Sequence, residues 1–159
     1  MKLEPSIWFD EVVKTYHLIS PHIHHTQLVT CPELNEELDG RYIFKPESLQ
    51  ITGSFKIRGA LSAISRLTKD ELKRGVIAYS SGNHAQGVAH AAKIFNTPAT
   101  VVMPKDAPER KIVNARALGA EVIFYDRRTE SREDMSREIA KEKNLVIINP
   151  YDALETIYG

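Results

Sequence analysis

A lysine in a partly apolar segment is the first residue of this chain with a case for covalent chemistry. Lys56 lies within residues 52–60, between Phe55 and Ile57 and close to Arg58. Partial desolvation and a neighbouring positive charge both predict a lowered pKa for its amine. An amine that is neutral near pH 7 attacks aldehydes to form a Schiff base, or removes protons. Taken alone, the same lysine also fits the solvated face of an amphipathic helix.

A loop rich in serine and glycine is the second candidate. Residues 80–87 read S-S-G-N-H-A-Q-G and lie between a predicted buried strand and a predicted helix. Backbone N–H groups and the dipole at a helix start hold anions, and open α/β sheets bind ligands where their strands end. Gly82 allows a tight turn, while Ser81 and Asn83 add hydroxyl and amide donors. These residues either cap the helix or bind a carboxylate or phosphate.

Alternating strands and helices must position both segments. Four short apolar runs predict buried strands, and the helical segments between them predict right-handed crossovers. The predicted fold class is therefore α/β, an open and largely parallel four-stranded sheet with flanking helices. The strands are predicted at 76–79, 99–103, 121–125 and 145–148, and the helices between them at 83–95, 108–118 and 129–143.

The N-terminal part is predicted to be more helical. Thr68 and Thr30 each begin a T-x-x-E pattern, which is typical of a capping box at a helix start. The predicted elements here are helices at 31–38, 54–66 and 69–74 and a short strand at 41–45.

Composition excludes several classes of protein. The 159 residues include 21 Lys+Arg against 21 Asp+Glu, and 42% are hydrophobic, which suits one globular core and excludes a disordered tail. Zero net charge argues against nucleic acid or an anionic membrane as a partner. The single cysteine, Cys31, excludes an intrachain disulfide, and no signal peptide or long apolar run is present. We therefore expect a soluble cytoplasmic protein.

Several common functional motifs are missing from the sequence. There is no G-x-G-x-x-G, no G-x-x-x-x-G-K-[ST] and no G-x-S-x-G, so dinucleotide-binding, P-loop and hydrolase functions lack support. His22, His24 and His25 match no standard ligand spacing, and no metal site is predicted. The basic stretch that includes Lys105, Arg110, Lys111 and Arg116 is interpreted as the solvated face of a helix.

Together, the two candidate segments resemble the signatures of fold type II pyridoxal-phosphate enzymes. The T-G-S-F-K-I-R-G-A string carries Lys56, and S-S-G-N-H-A-Q-G follows it in the family's order. The resemblance is strongest to the threonine dehydratase and serine racemase group. It runs over nearly the whole chain, since residues 44–53, V-M-P at 102–104 and N-P-Y-D at 149–152 also fit.

The resemblance implies a set of residue roles. Lys56 would form the Schiff base with pyridoxal phosphate and remove the substrate Cα proton, and Asn83 would bond the phenolic oxygen of the cofactor. Ser81 would be a second acid/base on the opposite face, as in serine racemases. The residues implied in holding the substrate carboxylate are Ser80, Ser81, Gly82, Asn83 and His84.

The implied activity is that of a threonine/serine dehydratase (ammonia-lyase), which converts a small hydroxy amino acid to a 2-oxo acid and ammonia. Serine racemase is the alternative within the enzyme class. A non-catalytic remnant or binding module of the same fold is the alternative outside it. The full-length form is expected to be a homo-oligomer, with threonine or serine as its small-molecule partner.

The resemblance also implies a domain division. Residues 54–150 would be the small domain of the tryptophan synthase beta-like fold, with 1–53 belonging to an incomplete large domain and 151–159 starting the return to it. The family's glycine-rich phosphate loop has no counterpart in the sequence, so we expect a truncated chain that is inactive alone. Two smaller departures are His25-Thr26-Gln27, where the family often has Arg-Thr-Pro, and Tyr158, where alanine is usual.

Overall fold

A parallel sheet of four strands forms the centre of the computed structural model, which describes residues 5–159. The strands are β1 (Val76–Tyr79), β2 (Ala99–Pro104), β3 (Glu121–Tyr125) and β4 (Val146–Ile147). The helices are α1 (Pro5–Ile19), α2 (Pro32–Glu37), α3 (Lys56–Ser65), α4 (Lys69–Arg74), α5 (Asn83–Ile94), α6 (Glu109–Ala117), α7 (Arg132–Lys143) and α8 (Leu154–Ile157). The predicted α/β class and four-stranded parallel sheet are confirmed.

Both faces of the sheet are covered by helices, which is why the central strands are apolar throughout. Alternate residues of a strand point to opposite faces, so Ala78 packs with α3 and α5 while Tyr79 packs towards α7. All residues of β1 and β2 are buried. Continuous apolar runs are typical of parallel strands covered on both sides.

The order of the strands creates a crevice beside β1. The sheet runs β3-β2-β1-β4, so the chain leaves β1 in one direction through β2 and β3 and returns to the other side of β1 as β4. Ligands in open α/β sheets bind at such a switch point, outside the carboxyl ends of the strands. Residues 80–84 leave the sheet at the end of β1, and residues 148–150 leave it at the end of β4.

Two predictions for the N-terminal part are wrong. The segment 41–45 is not a strand, because Phe44 makes only an isolated antiparallel bridge to Val29 and its neighbours are exposed. Thr30 does not cap a helix either. Pro32 occupies the first position of α2, and the residue before the helix is Cys31, which makes no side-chain capping bond.

The capping box at Thr68 is confirmed. Its Oγ1 accepts a hydrogen bond from the Glu71 backbone N–H (3.3 Å), and the Glu71 carboxylate accepts one from the Thr68 backbone N–H (2.8 Å). The reciprocal pair satisfies two donors at the start of α4.

Residues 5–159 contain no helix with both the length and the apolar character that a bilayer crossing needs. Within the same range, no three His, Cys, Asp or Glu side chains are grouped as metal ligands would be.

Candidate active site

Lys56 is the first residue of α3, and its amine lies at the end of β4. The side chain is half-buried, and its Nζ donates a hydrogen bond of 2.7 Å to the carbonyl oxygen of Pro150. The Nζ also lies 5.2 Å from the centre of the Phe55 ring. A cavity of about 460 Å³ opens here, and the residues that line it include Lys56, Phe55, Arg58, Pro150, Tyr151 and Ile157.

A glycine brings the two sequence motifs into contact. A Cβ on Gly87 of α5 would lie 3.0 Å from the carbonyl oxygen of Lys56 and 3.1 Å from its carbonyl carbon. Those distances are shorter than most Cβ contacts in proteins, so glycine lets α5 pack closely on the backbone of Lys56 without displacing it. The loop that starts α5 is therefore placed next to the lysine.

The side chains of residues 80–84 do not cap α5. Gly82 precedes the helix, and no side chain makes a capping bond there. The Gly82 N–H instead donates to Ser80 Oγ at 3.1 Å, while Ser81 is half-buried and Asn83 is exposed. The capping interpretation of this loop therefore fails. The backbone N–H groups in the first turn of α5 have no side-chain cap and can bind an anion.

A lysine from another element lies at the same loop. The Nζ of Lys111, on α6, lies 3.8 Å from the position that a Cβ on Gly82 would take. The sequence placed this residue on a solvated helix face, because its spacing along α6 carries no sign of the loop. Its positive charge adds to the attraction of the loop for anions.

His84 is buried, and its imidazole is directed at the exit of β4. The side chain is 3% exposed, and Nε2 lies 3.0 Å from the carbonyl oxygen of Ile148. A carbonyl only accepts hydrogen bonds, so Nε2 carries the proton. Burial lowers the pKa of His84 to about 4; the bond to Ile148 opposes the shift, and the Lys56 charge adds to it. The imidazole is therefore neutral at pH 7.

The structure brings the predicted site residues together through the backbone of residues 148–150. Lys56 and His84 bond carbonyl groups two residues apart in this segment. Among the described residues, no hydrogen bond joins Lys56 directly to the side chains of Ser81 or Asn83. The sequence does not predict the contribution of Ile148 or Pro150, because both act through backbone carbonyl groups that every residue type has.

Comparison with known proteins identifies a family and several similar enzymes. The family described as pyridoxal-phosphate dependent enzyme matches residues 19–159. The L-threo-3-hydroxyaspartate ammonia-lyase of Saccharomyces cerevisiae is 42% identical over 151 residues, which are 95% of this chain and 46% of the relative. The L-threonine ammonia-lyase of Thermotoga maritima is 40% identical over 153 residues, 96% of this chain and 38% of the relative.

A solved structure agrees with these relatives. Maize serine racemase superposes with a TM-score of 0.88 at 36% identity, covering 94% of this chain and 45% of that one. The chain therefore spans less than half the length of these three similar proteins.

Proposed function

The chain belongs to the pyridoxal-phosphate dependent enzyme family, and from that membership we propose that its protein is a threonine/serine ammonia-lyase. The similar proteins are ammonia-lyases and racemases of small amino acids. The observation that carries the proposal is the position of the Lys56 amine: it bonds the Pro150 carbonyl just beyond β4, and its charge acts on His84 in the first turn of α5.

The residues present fit pyridoxal phosphate. Lys56 offers a half-buried primary amine in a cavity of about 460 Å³, large enough for a small cofactor. Residues 80–84 do not line that cavity. They add backbone N–H groups at the start of α5, and Asn83 adds a side-chain amide there. When bound, the cofactor supplies an aldehyde for covalent attachment to the amine and a ring that withdraws electrons from the substrate Cα.

Lys56 would hold the cofactor and also move a proton. Its Nζ takes the Cα proton of the substrate, and the Pro150 carbonyl orients that nitrogen within the crevice. The substrate then loses its β-hydroxyl as water, and hydrolysis of the resulting enamine gives a 2-oxo acid and ammonia.

The loop residues would hold the substrate. The uncapped N–H groups at the start of α5 bind the substrate carboxylate, supported by the nearby charge of Lys111. The Asn83 amide would hold the phenolic oxygen of the cofactor. Ser81 is half-buried in the same loop, and its hydroxyl would serve as a second acid/base on the opposite side of the substrate.

Serine racemase is the second candidate function. A racemase needs two proton-transfer groups on opposite faces of the Cα atom, and Ser81 is the candidate for the second group. Serine racemases are among the similar proteins, including those from Schizosaccharomyces pombe at 41% identity and from maize at 36%. Elimination and racemisation share the Lys56 step and differ in the product that is released.

Replacement of Lys56 by alanine tests the proposal. We expect borohydride reduction of the full-length wild-type protein with pyridoxal phosphate to label Lys56 in preference to other lysines. In the same full-length form, Lys56→Ala should lose that label, and 2-oxo acid formation should fall by about 10²- to 10⁴-fold, the usual contribution of a positioned acid/base. Peptide mass spectrometry reads the label, and an assay with L-threonine and L-serine reads the product.

Lys93→Ala is the matched control, since Lys93 is exposed near the far end of α5. In Lys93→Ala, the labelling of Lys56 and the formation of 2-oxo acid should equal those of the wild type. Retained activity in Lys56→Ala, or even labelling of many lysines in the wild type, would contradict the proposal. Formation of more D-serine than pyruvate from L-serine would favour the racemase.

We further propose that residues 54–150 are the small domain of the protein. The sheet and the helices that cover it, α3 to α7, all lie within this range. Residues 1–53 and 151–159 are then parts of the larger domain.

A further inference from the structure

We propose that His84 is a positioning residue for Lys56. Its imidazole holds residues 148–150, the exit segment of β4, and that exit segment holds the Lys56 amine in the crevice. This inference rests on the proposed function and deepens it, because it gives His84 the role of positioning Lys56 and not that of binding the substrate.

Three successive carbonyl groups of the exit segment each accept a hydrogen bond from a different helix. Ile148 accepts from His84 Nε2 of α5 at 3.0 Å, and Asn149 accepts from Thr156 Oγ1 of α8 at 3.0 Å. Pro150 accepts from Lys56 Nζ of α3 at 2.7 Å. The path of the exit segment is therefore fixed by side chains that lie far apart in the sequence.

Backbone pairing alone does not hold the exit segment. The Ile148 N–H is the last to pair with β1, donating to Ile77 O at 2.9 Å. Pro150 has no N–H to donate, and the N–H groups of Tyr151 and Asp152 both turn back to Asn149 Oδ1. Beyond Ile148, the position of the Pro150 carbonyl depends on the bonds that side chains make to the segment.

The bond from His84 is the best shielded of the three. His84 is 3% exposed and Ile148 is 2% exposed, so water cannot readily replace the imidazole as the donor. The neighbouring atoms of the segment must shift if the Ile148 carbonyl is to find another partner. Such a shift moves the Pro150 carbonyl, and the Lys56 amine with it.

The imidazole is also unsuited to bind the substrate directly. Nε2 faces a backbone carbonyl, and Nδ1 is buried with no hydrogen-bond partner among the described residues. A neutral imidazole in this position adds no positive charge beside the Lys56 amine. The contribution of His84 to the site is therefore geometric.

The test measures the reactivity of the Lys56 amine without cofactor. His84→Phe keeps the ring volume and removes the donor, whereas His84→Gln keeps an N–H of similar reach. We expect competitive acetylation of Lys56, relative to exposed Lys141, to rise about 2- to 10-fold in His84→Phe. His84→Gln should stay within about twofold of the wild type, a rescue that simple loss of packing would not produce.

A matched control shares the helix and the substitution. His90→Phe, also on α5 but away from the exit segment, should leave acetylation of Lys56 unchanged. An unchanged Lys56 in His84→Phe, or an equal rise in His90→Phe, would overturn the inference. If His84→Phe does not fold, ¹⁵N NMR of the wild-type histidines decides: the inference requires a proton on Nε2 of His84, and a proton on Nδ1 alone overturns it.

Addition of pyridoxal phosphate separates this inference from the proposed function. Borohydride labelling of Lys56 should fall in His84→Phe, opposite to the rise in acetylation, because the released amine is no longer held where the cofactor binds. Labelling should recover in His84→Gln. A different outcome is that the variants show the expected acetylation pattern while the wild-type protein shows no preferred borohydride label on Lys56. That outcome would support His84 as a positioning residue and contradict the proposed function.

Discussion

Burial keeps His84 neutral, and this neutrality makes the folded protein sensitive to acid. The pKa of His84 is about 4 in the folded chain against an ordinary value of 6.5. Above pH 6.5 the side chain is neutral in both states. As the pH falls from 6.5 towards 4, His84 binds a proton in the unfolded chain but not in the folded chain, so the free energy of unfolding decreases.

The size of this effect can be measured by urea unfolding. Between pH 7.5 and pH 5, His84 should cost the folded state about 2 kcal/mol, and His84→Gln should lack that part of the loss. Burial and the charge of Lys93 also lower the pKa of His90, but His90 is present in both proteins and cancels in the comparison. Equal losses in the two proteins would mean that His84 is not buried in a neutral form.

Among the helices, two identical sequence patterns have different outcomes. Thr68 and Thr30 both begin T-x-x-E, yet only Thr68 forms the reciprocal bonds of a capping box. At Thr30, proline occupies the first helical position and the helix starts one residue later than the pattern predicts. The Glu33 carboxylate instead accepts a bond of 3.4 Å from the Cys31 thiol.

This difference predicts different costs for the same substitution. Thr68→Ala should lower the free energy of unfolding by about 1 kcal/mol, the usual value of an N-cap. Thr30→Ala should change it by less than about 0.5 kcal/mol, as at ordinary surface positions. Urea unfolding of both variants at pH 7 measures the two values, and a cost at Thr30 equal to that at Thr68 would contradict the capping assignment.

The sequence predicts the elements that have long repeating patterns. β1, β2, β3 and α5 lie within two residues of their predicted bounds, because buried strands and amphipathic helices carry their periodicity in the residues themselves. The segment 41–45 is different. Its apolar residues suit a strand, but a strand also needs a partner, and Phe44 finds only the isolated bridge to Val29.

The residues of the candidate site also fall into two groups, those that the sequence predicts and those that it does not. Lys56 and the 80–84 loop are found from sequence because each lies within one continuous motif. Lys111, Ile148 and Pro150 reach the site from other elements, and only the packing of α3, α5 and α6 around the sheet brings them there. Residue type and spacing in a single sequence do not show which elements pack together.

Over the whole molecule, burial is concentrated in the sheet and the helices around it. Residues 24–45 are mostly exposed. The Val29–Phe44 bridge lies within this segment. Its described attachments to the rest of the chain include the Gln50 side chain, which accepts from His24 N and donates to His24 O, and the bond of Thr26 to Glu47. Segments with few buried contacts open at low free-energy cost.

Limited digestion with trypsin should therefore begin at the bond after Arg41. Arg41 is exposed, and the nearby Lys45 precedes a proline, where trypsin cleaves poorly. Lys141 is also exposed but lies within α7, where the helix protects the backbone. Mass spectrometry of early fragments identifies the first cut. First cuts within α5 or α7 would show that the sheet region is the less stable part.

The three-carbonyl exit segment also sets the order in which the site can form. Lys56 and Pro150 are 94 residues apart in the sequence, and β4, the last strand, must pair beside β1, the first. Such distant pairings form late in folding, because a long loop must close first. During synthesis, the lysine and the serine-glycine loop leave the ribosome well before the segment that fixes their spacing. β1, β2 and β3 are therefore expected to assemble first, and the contact between Lys56 and the exit segment is expected to form last.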